Sequence, residues 1–214
     1  MELSTRFIFI FVLFFLILFT HNLFASDWEY WSNSLVFIKL REKVDFRIIP
    51  HARLKNKCRD FYYYKTYIGP TFKISKFFKI SPLYMYKIEK KRGVWKEDNV
   101  GNMDMELKLP FLVNAYLDYR YRTEYNFTQN NCVHRNKFEL SKDCEKINGL
   151  SLFLYDEIFY SFAANKLNEN RVSASLSKKI NDNLNLGLSY IVRFQDSTDW
   201  HNTNIVQTEV KVSF

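Results

Sequence analysis

Val206, Thr208, Val210, Val212 and Phe214 share one face of the last nine residues, and Gln207, Glu209, Lys211 and Ser213 share the other. Period-two alternation predicts a strand between two unlike environments. The scheme recurs upstream. Val113, Ala115, Leu117, Tyr119, Tyr121, Thr123 and Tyr125 alternate with Asn114, Tyr116, Asp118, Arg120, Arg122 and Glu124, and Leu184, Leu186, Leu188, Tyr190, Val192 and Phe194 with Asn185, Gly187, Ser189 and Arg193. Strand segments are predicted at about 30–41, 44–54, 61–74, 77–89, 102–109, 113–127, 134–141, 150–161, 170–179, 184–195 and 203–214. The longest exceed the roughly 9–11 residues that a tilted strand needs to cross a bilayer.

A strand with one apolar and one polar face suits a closed barrel, because an open sheet would leave backbone polar groups unpaired in lipid. The expected fold is therefore all-β, an antiparallel transmembrane barrel of 10–12 strands. Bacterial single-chain barrels use even strand numbers, so eleven segments imply that one is split or missed. Connections counted back from Phe214 alternate long (196–202), short (180–183), intermediate (162–169), then 142–149, which breaks the rhythm. Further back come 128–133, a short 110–112, a long 90–101, Ser75-Lys76, 55–60 and a short 42–43. Short turns belong to the periplasmic end of such barrels and longer loops to the outside.

Phe7 to Phe19 is an unbroken apolar run behind Arg6. It is shorter than the roughly 20 residues of a spanning helix and fits the core of a secretory signal, with Ala25 and Ser26 at the cleavage point. Residues 1–25 are read as a signal peptide, and 26–214 as one domain, exported to the outer membrane of a Gram-negative bacterium. The carboxyl-terminal strand, with Val210, Val212 and Phe214, resembles the signal read by the barrel-assembly machinery. Fourteen tyrosines in the mature chain suit aromatic girdles at the membrane edges. The net charge of +8 comes from lysines scattered among apolar residues. Attraction to anionic lipid and lipopolysaccharide is therefore expected, not nucleic-acid binding, and the barrel is expected to be monomeric.

Candidate chemistry concentrates on the polar faces. Asp118, Arg120, Arg122 and Glu124 share the inward face of one strand and form either a selectivity ring for anions or an internal salt-bridge network. The need to pair buried charges favours the network. Asp156 and Glu157 are adjacent and face opposite ways unless a bulge turns both inward; beside Arg171 they would extend the network. Three cysteines, Cys58, Cys132 and Cys144, show no metal-site spacing, and no cofactor is implied. Cys132 and Cys144 would flank one strand on opposite membrane sides, whereas Cys58 and Cys132 both fall in outer loops and could pair. The segment Lys90, Lys91, Arg92, Trp95, Lys96 reads as a basic outer loop able to meet lipopolysaccharide phosphates. His201, with Ser197, Thr198 and Asp199, is the nearest approach to a hydrolytic set, in ordinary loop composition, and no catalytic residue is assigned.

The segment Arg120-Tyr121-Arg122-Thr123-Glu124 (R-x-R-x-E), then Asp156-Glu157-Ile158-Phe159, Asn170-Arg171 and the turn Asn181-Asp182-Asn183 together resemble the bacterial family known as domain of unknown function 2490. The resemblance spans roughly residues 28–214 and implies a secreted, outer-membrane-type barrel without implying a reaction. The expected role is structural, or binding or passage of small solutes. The alternatives are a barrel enzyme acting on envelope lipid and a soluble periplasmic β-sandwich.

Overall fold

The computed structural model describes residues 28–144, 147–196 and 200–214, so the leader at 1–25 and the loop residues Ser197, Thr198 and Asp199 lie outside the described residues. The described chain is all strand and turn. Its elements are β1 (Trp28–Arg41), β2 (Val44–Lys55), β3 (Asp60–Lys73), β4 (Phe78–Lys91), β5 (Val94–Leu112), β6 (Ala115–Asn126), β7 (Asn131–Cys144), β8 (Leu150–Ser161), β9 (Lys166–Lys179), β10 (Leu184–Asp196) and β11 (Trp200–Ser213). Each strand pairs with its chain neighbour, and the sheet closes on itself.

All eleven predicted segments are strands, a number within the expected 10–12, and the expectation that one had been split or missed is corrected. In a meander with an odd number of strands the first and last run the same way, so closure must be parallel. β1 and β11 indeed pair in parallel, from Trp28↔Asn204 to Phe37↔Ser213, and every other pair is antiparallel. The final residue completes the seam: the Phe214 amide donates to the Phe37 carbonyl at 2.9 Å, and its carbonyl accepts from the Lys39 amide at 3.0 Å. One consequence is topological. Trp28 and Phe214 stand at opposite ends of the barrel, here called the N-terminal and C-terminal ends.

The expected alternation of short turns and long loops is not present. The strands leave connections of two to five residues at both ends, because they extend further than the apolar pattern shows. The largest change is at 90–101, which is the tip of a β4–β5 hairpin closed by Arg92-Gly93. Both turn residues have positive φ, 51° and 84°, as a two-residue type I′ turn requires. Ser75-Lys76 likewise lies within a four-residue connection, 74–77. At the β9–β10 turn Asn181 Oδ1 accepts from the Asn183 amide at 2.9 Å, and the Lys179 ammonium, 2.6 Å from Asp182, holds that carboxyl below its usual value.

Alternation sorts the wall into two faces. Ile68, Met103, Met105, Leu117, Leu188 and Val210 stand exposed around the middle of the outside. Towards the N-terminal end the exposed ring includes Phe61, Tyr84, Trp95, Tyr125, Phe127 and Phe162; towards the C-terminal end it includes Phe72, Phe77, Phe111 and Phe214. Charged and hydrogen-bonding side chains point inward. At one place the wall needs a glycine: the β3–β4 ladder lapses between Ile68↔Tyr84 and Phe72↔Ile80, and a Cβ on Gly69 would lie 2.4 Å from the Pro82 carbonyl oxygen. Backbone can approach that closely only where no side chain intervenes.

Candidate functional site: a closed bore above a blind vestibule

The N-terminal half of the bore is packed with ion pairs. Glu157 on β8 accepts from Arg120 on β6 at 2.6 Å and from Arg135 on β7 at 2.9 Å, and Arg171 on β9 lies 3.6 Å away. Arg135 also meets Glu124 at 2.6 Å, and Arg122 is bidentate to Asp104 on β5, at 2.5 and 2.6 Å. Glu29 on β1 forms a second hub, accepting from Arg193 (2.8 Å), Trp31 Nε1 (2.8 Å) and Tyr62 (2.7 Å). Carboxylates buried to this depth are tolerable only when each is paired in good geometry, a condition met by alternating Arg and Glu around the ring.

Aromatic rings fill the space between the ions. Trp31, 2 % exposed, has the Arg53 guanidinium 3.8 Å from its ring centre and that of Arg171 4.9 Å from it. Arg171 also lies 4.4 Å from Phe159, and so does Arg135. The sequence Arg53, Trp31, Arg171, Phe159, Arg135 is a continuous cation–aromatic stack, which lets several like charges share a small volume. Around it Tyr63, Lys65, Tyr67 and His51 are buried.

Of the residues singled out in the sequence, Arg120, Arg122, Glu124, Glu157 and Arg171 belong to this one network. Asp118 does not. It sits lower, 3.7 Å from Lys108 and 3.4 Å from Ser141. Asp156 is a correction: it faces outward and accepts from Asn170 Nδ2 at 2.6 Å. The bulge that would have turned it inward lies further on, between Phe159 and Tyr160. Sequence reasoning passed over Arg135, Asp104, Glu29, Arg193 and Trp31. Parity alone marks Arg135, since Arg135, Lys137 and Glu139 alternate with Asn136, Phe138 and Leu140.

In the C-terminal half the bore is open, a cavity of about 940 Å³. It exists because the inward side chains shrink. β9 changes from Glu169 and Arg171 to Ser173, Ser175 and Ser177; β10 changes from Arg193 and Ile191 to Ser189, Gly187 and Asn185. Asn114, Asn148, Gly149 and Lys179 line its mouth at the turns of the C-terminal end. Twelve lysines and arginines line the cavity against seven carboxylates. Arg122, Arg135 and Arg171 face it while Asp104, Glu124 and Glu169 stand behind them in the packed half; Glu157 lines the floor with them, and the floor is rich in cations.

The three cysteines are free: Cys58 is in the exposed β2–β3 turn, and Cys132 and Cys144 are near opposite ends of β7. The Cys58–Cys132 pairing is therefore not made. The His201 side chain lies outside the described residues. A different histidine sits on the outer wall near the N-terminal end. His134 Nδ1 is hydrogen-bonded to the Tyr121 hydroxyl, and its Nε2 lies 3.6 Å from Cys132 Sγ. Among the described residues no group of three or more His, Cys, Asp or Glu is placed to hold a metal ion.

Fold and site together define a closed all-β barrel with a charged, half-filled interior. The family model for a protein of unknown function, DUF2490, matches residues 28–204, and the chain belongs to that family. No curated protein matches the chain.

Proposed function

We propose that this is an outer-membrane barrel that binds small anionic solutes in a blind vestibule instead of conducting them. Membrane insertion is supported by the apolar outer wall between two aromatic rings and by the absence of any free sheet edge. The leader read in residues 1–25 supplies the export route, and the carboxyl-terminal strand supplies the recognition element for assembly. With that strand's end on the periplasmic side, the vestibule opens to the periplasm. The outer surface contacts lipid and lipopolysaccharide, and no second copy is needed to complete the wall.

The observation that carries the ligand class is the floor. Arg122, Arg135 and Arg171 face the cavity with Asp104, Glu124 and Glu169 behind them. Glu157 and Glu106 line it too, but cations outnumber carboxylates around the lining by twelve to seven, a balance suited to oxyanions. Titration calorimetry of the detergent-folded protein with inorganic phosphate tests the reading. Saturable binding that weakens as salt is raised is expected. No binding at low salt would remove the solute-binding role and leave a structural one.

A second reading, an enzyme acting on envelope lipid, draws on the outer wall. Cys132, His134 and Tyr121 supply a thiol, a base and a group that orients the base, beside Phe162 and Tyr160 of the aromatic ring. Lipid release lost in both Cys132→Ala and His134→Ala would support it, and release unchanged in either would dismiss it.

A further inference from the structure

The vestibule has two unlike sides, and both are unusual for a space-filling barrel interior. Near the C-terminal end, where Glu106 and Glu209 line the cavity as well, stand Lys79 on β4, Lys108 on β5 and Lys211 on β11. They are not consumed by strong ion pairs. Lys79 makes no ion pair or hydrogen bond among the described residues. Lys211 lies 5.1 Å from the Phe37 ring centre. Lys108 lies 4.3 Å from that of Tyr116, with Asp118 only loosely placed at 3.7 Å. Rings hold two of the three, and the nearby carboxylates Glu106, Asp118 and Glu209 make no close ion pair with Lys79 or Lys211 among the described residues. Ammonium groups gathered at one end of a bore repel one another, and a bound anion would relieve that repulsion.

The other side is mostly uncharged, with Lys179 and Glu209 its charged members. Ser175 and Ser177 on β9, Asn185 and Ser189 on β10, and Gln207 on β11 form a column of hydroxyls and amides running inward from the mouth. Gly187 lies in the same column, and a Cβ there would come within 3.1 Å of Glu209 Cβ. Small polar side chains at this density leave room and offer both donors and acceptors. On the neighbouring strand Phe153 and Tyr155 also line the cavity and add flat apolar surface.

We infer that the vestibule takes a phosphorylated sugar, its phosphate held by the Lys79, Lys108 and Lys211 collar and its hydroxyls by the serine and amide column. The inference rests on the anion-binding reading above and names its substrate class. A phosphate needs concentrated positive charge, and a sugar ring needs many weak, two-way hydrogen bonds and a flat apolar contact. The two sides of the cavity supply these separately. A cavity of about 940 Å³ is large enough for a hexose phosphate with its bridging water.

Calorimetry on the mature chain folded in detergent tests this with three probes: inorganic phosphate, glucose and glucose 6-phosphate. Glucose 6-phosphate is expected to bind at least about tenfold more tightly than phosphate, a difference of about 1.4 kcal/mol, while glucose gives no measurable heat. Ser175→Ala with Ser177→Ala should bring glucose 6-phosphate towards phosphate and leave phosphate itself unchanged. Lys79→Gln with Lys211→Gln should weaken both. Retention of the folded, unboiled gel band confirms that each variant is still a barrel. Equal binding of phosphate and glucose 6-phosphate overturns the sugar assignment but keeps the anion vestibule. Glucose binding as tightly as its phosphate overturns the role of the lysine collar. Silence towards all three overturns both readings.

Discussion

Removing Glu157 should cost more than removing any other single charge, because three guanidiniums lean on it. Arg120 and Arg135 lie within 2.9 Å of its carboxylate and Arg171 at 3.6 Å, and the residue is 3 % exposed. In Glu157→Ala all three arginines remain inside with one carboxylate fewer. Arg135 keeps Glu124 and Arg171 keeps Glu169, but Arg120 has no other acidic partner within ion-pair distance among the described residues. Breaking a buried pair by removing one member typically costs about 3–5 kcal/mol. With about 2–4 °C per kcal/mol for a chain of this size, the loss corresponds to about 6–20 °C. The assay is the temperature at which the folded band disappears from an unboiled gel. Lys108→Ala is the control, since its carboxylate partner is 3.7 Å away and its side chain half exposed; a change below about 1 kcal/mol is expected there. Glu157→Gln should fall between, keeping volume and hydrogen bonds without the charge. If Glu157→Ala melts within about 2 °C of the unaltered protein, the ion network does not hold the barrel closed.

Three further outcomes follow from other parts of the wall. Gly69→Ala should abolish the folded band or lower its melting sharply, since the added carbon meets the Pro82 carbonyl oxygen at 2.4 Å; Gly93→Ala, strained by its φ of 84° but in open space, should cost only about 1 kcal/mol. Because closure is parallel, an epitope placed just before Trp28 and one placed after Phe214 should be accessible from opposite sides of the membrane in protease-protection experiments, and same-side access would contradict the eleven-strand seam. A water-soluble maleimide should label Cys58 in the folded protein faster than Cys132 or Cys144, with no disulfide-linked peptide in a non-reducing digest. Mass mapping that found Cys58 joined to Cys132 would refute the free-thiol state.

Strand number was legible because the outside of the wall is apolar wherever a strand crosses its middle, which makes Leu117, Leu188 and Val210 alternate cleanly with polar neighbours. Beyond the aromatic rings both faces are polar, and the pattern disappears although the ladder continues. That is why 90–101 reads as a loop. Lys96, Asp98 and Asn102 point one way and Glu97 and Asn99 the other, with too little contrast to mark a strand. Asp156 was misplaced for a related reason: nothing in a single sequence says that a carboxylate on the outer face will be met by Asn170 from the next strand. The vestibule was not legible at all. Each of Ser177, Gly187 and Ser189 is unremarkable alone, and only the register of β9 with β10 places them together.

The claim on which the proposed function depends is that the N-terminal half of the bore is shut by Trp31, Arg53, Arg135, Arg171 and Glu157. Single-channel recording in planar bilayers tests it most directly. The unaltered protein should insert without steady conductance steps, and a variant carrying Trp31→Ala and Arg53→Ala should give at least transient openings. Stable ohmic steps from the unaltered protein would mean an open bore, and the barrel would have to be read as a channel.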